Sequence, residues 1–136
     1  IMRKSIFIIK NTYNKAINKL MSTNDKFDYA LVNIAEGIKK LCKAHSACVR
    51  ANMIEQQLKI EERIKQLYAK KEEIEKKRIE YVAKISYLEA QRDAMAACSK
   101  VGIGDLANVD GVINECDNYI KQLEAEIKTN EFLMTL

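Results

Sequence analysis

An apolar residue recurs every seven positions through the middle of this chain. The residues of this repeat are Met53, Ile60, Leu67, Ile74, Tyr81, Leu88 and Met95. A seven-residue apolar repeat sustained over this length is typical of a helix that packs along a coiled-coil seam. The chain also has no proline and only four glycines among 136 residues, so breaks between helices must be few. The sequence therefore predicts an all-α protein built from long helices.

The main helix is expected to run without a break from about residue 26 to residue 99. This range has no proline and one glycine, and at about 1.5 Å per residue it would be roughly 110 Å long. A turn is expected at residues 100–105, because two glycines there permit left-handed backbone and an aspartate can cap the next helix. The turn residues are Gly102, Gly104 and Asp105. A return helix is then expected over about residues 106–136.

The return helix has the most regular apolar pattern in the chain, with alternating steps of three and four residues. We therefore predict that residues 25–136 form one domain, a long antiparallel coiled-coil helical hairpin. On the outgoing arm its seam consists of Ile74, Tyr81, Ile85, Leu88 and Met95. On the return arm it consists of Leu106, Val109, Ile113, Cys116, Ile120, Leu123 and Ile127.

Residues 1–24 form a separate segment, a short basic amphipathic helix with five basic residues and no acid. The capping side chains of residues 22–25 predict a helix break there. A lysine-rich face beside an apolar face suits binding to an anionic membrane surface, but it equally suits packing on the protein with the lysines outward. The residues assigned to membrane binding are Arg3, Lys4, Ile6, Phe7, Ile9, Lys10, Tyr13, Lys15, Ile17, Lys19 and Leu20.

A turn near residue 103 gives the two arms of the hairpin unequal lengths. The return arm would reach back only to about residue 70, which leaves an apolar stripe on residues 30–67 uncovered. Exposed apolar area of this extent usually marks an interface. The stripe is expected to form a homo-oligomer interface or to be covered by further C-terminal helices. Its residues are Ile34, Ile38, Leu41, Cys48, Met53, Ile60, Ile64 and Leu67.

One group of residues has the types and close spacing of zinc ligands, namely Cys42, His45 and Cys48. On one helix residues 42 and 48 point about 240° apart, however, so the thiols cannot converge on one ion. With one histidine and no phosphate-binding glycine loop, the chain lacks the parts for nucleophilic or phosphoryl-transfer catalysis. We expect no enzyme activity, no metal or other cofactor, and no small-molecule substrate.

The remaining charge and the cysteines also limit what the chain can do. The basic residues alternate with a continuous apolar face and not with exposed stacking aromatics, so nucleic-acid binding is not expected. Four cysteines without a C-x-x-C pair indicate a reducing cytoplasm. The protein would lie at the inner face of a membrane if its first helix binds lipid.

Several short segments resemble the phage-shock protein A and vesicle-inducing protein in plastids family of the ESCRT-III superfamily. They are Met2 with Ile6-Phe7, Asn24-Asp25, the alanine-spaced run at 43–51, Gly104-Asp105-Leu106-Ala107, and Leu123-Glu124-Ala125-Glu126-Ile127. The chain departs from the family in lacking a proline after Asp25. The resemblance implies membrane binding through residues 2–21 and polymerisation through the hairpin.

These patterns lead to two hypotheses of function. The first is a non-enzymatic, self-assembling coiled-coil scaffold that binds or remodels membrane surfaces through its N-terminal helix. The alternative is a coiled-coil interaction module of a larger phage, secretion or cytoskeletal assembly, with no membrane role.

Overall fold

The computed structural model describes residues 2–101 and 109–135, and within them the side chains of 7–8, 10–97, 114–115 and 117–132. The described chain is all-helical. Helix α1 spans Met2–Arg50, α2 spans Ile54–Val101, and α3 spans Val109–Thr135. The predicted turn residues Gly102, Gly104 and Asp105, together with Leu106, lie outside the described residues.

The helix break predicted at residues 22–25 is wrong, because α1 continues through them. Of the capping side chains there, Ser22 and Asp25 are exposed, Asn24 is half-buried, and Thr23 bonds within the helix. Thr23 donates a hydrogen bond from Oγ1 to the carbonyl of Lys19 at 2.9 Å, one helical turn earlier. Thr23 is also buried, as are Leu20 and Phe27. Packing of this face outweighs the small helix penalty, a few tenths of a kcal/mol each, of Ser, Thr, Asn and Asp.

The prediction of one unbroken helix over 26–99 is also wrong, because the chain turns at residues 51–53. Asn52 adopts the left-handed conformation with φ of 56°. The amide of Asn52 donates to the carbonyl of Val49 at 3.2 Å, and that of Met53 donates to the carbonyl of Cys48 at 2.9 Å. These two bonds form a Schellman motif, in which asparagine takes the position that glycine usually holds.

The first compact unit, called the three-helix unit below, comprises Ile1–Asn24 and Tyr81–Leu136. Within it α2 and α3 are antiparallel: Lys84 pairs with Glu126 at 2.7 Å, while Tyr81 pairs with Asn130, later on α3, at 2.6 Å. The start of α1 also packs in this unit, where Arg92 donates to Asn14 Oδ1 at 2.8 Å. The buried apolar residues of this unit are Ala16, Ile17, Leu20, Tyr81, Leu88, Leu123 and Ile127.

The second compact unit, called the helix pair below, comprises Asp25–Glu80. Its two helical segments are antiparallel around the turn at 51–53. Arg78 Nε lies 2.9 Å from Asp28 Oδ1, and His45 Nε2 lies 3.0 Å from Glu61 Oε1. The buried apolar residues of the helix pair are Phe27, Ile34, Ile38 and Ile74.

Candidate interaction surfaces

The interior of the helix pair is only partly enclosed. Ile34 and Ile38 are buried against the other helical segment of the pair, so the expectation that the chain itself leaves them uncovered is corrected. Most of the remaining residues of the predicted interface are half-buried, namely Leu41, Cys48, Ile60, Ile64 and Leu67. Met53 lies in the turn and is exposed. Two helices touch along one line only, so residues flanking that line stay partly open to solvent.

The helix pair also carries a second apolar row, which we call the outer stripe. It consists of Ile54, Leu58, Tyr68 and Ile79, which are 67%, 59%, 51% and 71% exposed. At 100° per residue these four side chains fall within an arc of about 80° on α2, and Ile74 lies about 200° from Ile54. Ile60, Ile64 and Leu67, which are half-buried, lie at about 240°, 280° and 220° on the same scale. The outer stripe therefore flanks the side of α2 that packs on α1, and α1 leaves it exposed.

The sequence-based assignment missed the outer stripe. Charged residues interrupt it at Glu61, Lys65, Glu72 and Lys76, so no unbroken apolar repeat indicates it. The signal that could have found it is the spacing of Ile54 and Leu58, four residues apart, and of Tyr68 and Ile79, eleven residues apart. Both intervals return to nearly the same side of a helix. An exposed apolar row bordered by charges is typical of protein–protein contact surfaces.

The N-terminal residues assigned to membrane binding fall into two groups. Ile17 and Leu20 are buried in the three-helix unit, and Tyr13 is half-buried, which corresponds to packing on the protein with lysines outward. Phe7 is exposed, as are Lys10 and Lys15. The side chains assigned to the same surface at Arg3, Lys4, Ile6 and Ile9 lie outside those described.

The structure describes the side chains of some of the predicted seam residues. Tyr81, Leu88, Leu123 and Ile127 are buried in the three-helix unit, and Ile74 is buried in the helix pair. Ile85, Met95 and Ile120 are half-buried. The side chains of Val109, Ile113 and Cys116 lie outside the described ones.

Exposed and half-exposed ion pairs link the helices of the three-helix unit. Burial alone would lower the pKa of the Lys84 ammonium, but the hydrogen bond and charge of Glu126 outweigh it, and the pKa is raised. The hydrogen bond from Lys19, together with its charge, lowers the pKa of the Glu124 carboxyl. Both contacts link neighbouring helices, although exposed pairs of this kind add little stability.

Two of the four cysteines and the histidine lie in the helix pair. Cys42 is exposed and Cys48 is half-buried, both as free thiols, while the His45 ring bonds Glu61. Within the described residues, no three His, Cys, Asp or Glu side chains lie close enough to hold a metal ion. Over the same part of the chain, no helix is both long and apolar enough to cross a membrane.

Comparisons with protein-family models, with curated proteins and with solved structures gave no match to this chain. The resemblance to the phage-shock protein A family therefore stays a prediction.

Proposed function

We propose that this chain is a non-enzymatic, cytoplasmic scaffold that self-associates through coiled-coil packing of its helix pair, Asp25–Glu80. The outer stripe carries this proposal, because its four apolar side chains are exposed beside the side of α2 that packs on α1. Two copies that bury their outer stripes against each other would form a four-helix bundle, in which every helix has more than one neighbour.

Self-association is a better use of this surface than catalysis or metal binding. The outer stripe holds no nucleophile or cluster of acids, and its neighbours Lys65 and Glu72 carry opposite charges. Opposite charges of this kind can pair across a symmetric antiparallel contact and set its register. The half-buried residues Leu41, Ile60 and Ile64 would gain cover in the same assembly.

The decisive experiment is sedimentation equilibrium of the purified chain over a wide concentration range. We expect reversible dimers or larger species, which Leu58→Glu shifts to monomer because it places a charge in the outer stripe. The matched control is Val32→Glu, which changes an equally exposed apolar residue on α1 of the same unit. A monomer at all concentrations, or equal effects of the two substitutions, would count against self-association through this surface.

The alternative that the helix pair docks on a different protein of a larger assembly predicts another outcome. The chain alone would then sediment as a monomer, and Leu58→Glu would leave its mass unchanged. Proteins that co-purify with the wild-type chain but not with Leu58→Glu would identify that assembly.

A second candidate function is membrane-surface binding through the start of α1. It is favoured by Phe7 and Ile8, which are 63% and 44% exposed on a helix that carries no acid before Asp25. Exposed apolar side chains beside lysines suit the headgroup region of anionic lipids. The resemblance to the phage-shock protein A family implies the same use of residues 2–21.

Co-sedimentation with anionic vesicles tests this second function. We expect Phe7→Ser to weaken binding, and high salt to weaken it further by screening the lysines. Phe132→Ser is the matched control, because Phe132 is as exposed as Phe7 but lies on α3. Equal binding by both variants would exclude insertion of this face.

A further inference from the structure

The three-helix unit contains a cleft of about 170 Å³ that receives side chains from all three helices. Tyr13 of α1, Tyr87 of α2 and Tyr119 of α3 lie on its wall, with Leu88 and Ile120 as apolar lining. The chain has six tyrosines, so half of them line this one cleft. Neither the ion pairs of this unit nor the proposed self-association accounts for such a concentration of phenol rings.

The charge of the cleft favours a cationic ligand. Glu115 supplies the one formally charged side chain among the described lining residues. Aromatic rings add partial negative charge on their faces, which attracts ammonium groups. A nearby protein cation, Lys84, is engaged with Glu126 at 2.7 Å and does not line the cleft.

The tyrosine rings supply apolar walls with a polar edge to the cleft. Burial raises the pKa of the Tyr119 phenol, more strongly than the neighbouring Lys84 lowers it. The hydroxyl of Tyr87 accepts a hydrogen bond from Gln91 Nε2 at 3.3 Å. Glu115 is therefore the anionic partner that the described lining of the cleft offers to a small ammonium ion.

The size of the cleft limits the ligand to a compact group. A cavity of about 150 Å³ in another protein accommodates benzene, which has six non-hydrogen atoms. A trimethylammonium group with one further carbon has five such atoms and is nearly spherical. We propose that this cleft binds a quaternary ammonium group, with Tyr13, Tyr87 and Tyr119 around the methyl groups and Glu115 balancing the charge.

The test is a titration of the whole 136-residue chain with choline, followed by NMR shifts of backbone amides. The matched ligand is 3,3-dimethylbutan-1-ol, which has the shape of choline but a carbon in place of the charged nitrogen. We expect saturable shifts near Glu115 and Tyr119 with choline, and at least tenfold weaker binding of the neutral alcohol. Equal affinity for the two ligands, or no saturable shift with choline, would overturn the proposal.

Two exposed positions allow substitution without disturbing the core. We expect Glu115→Gln and Tyr87→Leu each to weaken choline binding about fivefold, the loss of one charge or cation–π contact. The controls Glu62→Gln and Tyr29→Leu make the same changes at exposed positions of the helix pair and should leave affinity unchanged. Choline binding that Glu115→Gln and Tyr87→Leu leave intact would show that the ligand binds elsewhere and overturn the assignment.

The same headgroup occurs free in solution and on phosphatidylcholine, so a second arm of the experiment separates these sources. Capture of phosphatidylcholine vesicles that depends on Glu115 would identify the lipid headgroup as the ligand. Choline binding without vesicle capture would identify the free ion. Either result upholds quaternary ammonium recognition, and both are distinct from binding through Phe7, which requires anionic lipid.

Discussion

The two compact units differ in how many helices surround their apolar rows. In the three-helix unit Leu20, Tyr81 and Leu88 are 0%, 1% and 2% exposed. In the helix pair comparable positions such as Leu41 and Leu67 stay half-buried. Both units draw on helices with long apolar repeats, so the repeat alone does not determine burial. A third helix closes the open sides of a two-helix contact, and its absence leaves surface for another chain.

The largest expected effect compares a leucine from each unit. Leu88→Ala should lower the free energy of unfolding by about 3 kcal/mol, because it removes a fully buried side chain and leaves a cavity. Leu67→Ala should lower it by about half as much, since solvent already reaches this site. Urea denaturation followed by circular dichroism measures both. Equal losses would mean that the helix pair is as well enclosed as the three-helix unit, for example by self-association.

A smaller effect is expected from the buried polar contact of the three-helix unit. Asn130 Nδ2 donates to the hydroxyl of Tyr81 at 2.6 Å, and both residues are buried. Tyr81→Phe should cost about 1–3 kcal/mol because the amide of Asn130 loses its partner. Adding Asn130→Leu should recover part of this loss. The control in the helix pair is Glu61→Gln, which weakens a half-exposed contact to His45 and should cost less than about 1 kcal/mol.

The turn of the helix pair offers a backbone test. Asn52→Ala should lower the free energy of unfolding by about 1 kcal/mol, since alanine resists the positive φ that asparagine tolerates. Asn52→Gly should be neutral or stabilising. Thermal melts of the two variants make the comparison. If alanine were tolerated as well as glycine, the Schellman turn would not be what ends α1.

A gain in stability is expected within the helix pair at Gly37. An added Cβ there would lie 3.6 Å from Leu67 Cδ1, an ordinary van der Waals contact. Gly37→Ala should therefore stabilise the protein by about 0.5–1 kcal/mol through a lower backbone entropy in the unfolded chain. Gly37→Leu should lose that gain, because the larger side chain must displace Leu67. A destabilising Gly37→Ala would show that the two helices lie closer than described.

The smallest effect concerns acidification of the three-helix unit. The pKa of Glu124 is lower in the folded protein because Lys19 donates a hydrogen bond to it. The pair therefore contributes stability at neutral pH and loses it as the pH falls through the folded pKa. Glu124→Gln should reduce the dependence of unfolding on pH in the acidic range, while Glu89→Gln should not. Identical pH profiles for the two variants would show that the contact with Lys19 does not lower the pKa of Glu124.

The sequence predicted the helices themselves better than the points where they begin and end. Helix formation across the described chain is confirmed, and the buried positions Tyr81, Leu88, Leu123 and Ile127 follow the predicted repeat. Both errors in helix boundaries concern polar residues. The cluster at 22–25 continues α1 because Thr23 is buried. Helix α1 ends just before Asn52, where neither a proline nor a glycine marks the end in the sequence.

The candidate surfaces were harder to predict from the sequence than the helix boundaries, because they depend on which helices pack together. Ile17 and Leu20 lie on one face of an amphipathic helix, and the sequence left open whether lipid or protein covers that face; in the structure protein covers them. The outer stripe and the tyrosine cleft were both missed. The cleft assembles Tyr13, Tyr87 and Tyr119 from three helices, so no local pattern could reveal it.

By itself the sequence determined that this chain is helical and which sides of its helices are apolar, because both depend on residues only a few positions apart. The tertiary structure decided where the helices turn and which apolar side each neighbour covers. Those choices depend on the total area that distant segments bury together, and this outweighs the local preference of a cap or a turn. The outer stripe is the result, a side of α2 that the sequence made apolar and the fold left open.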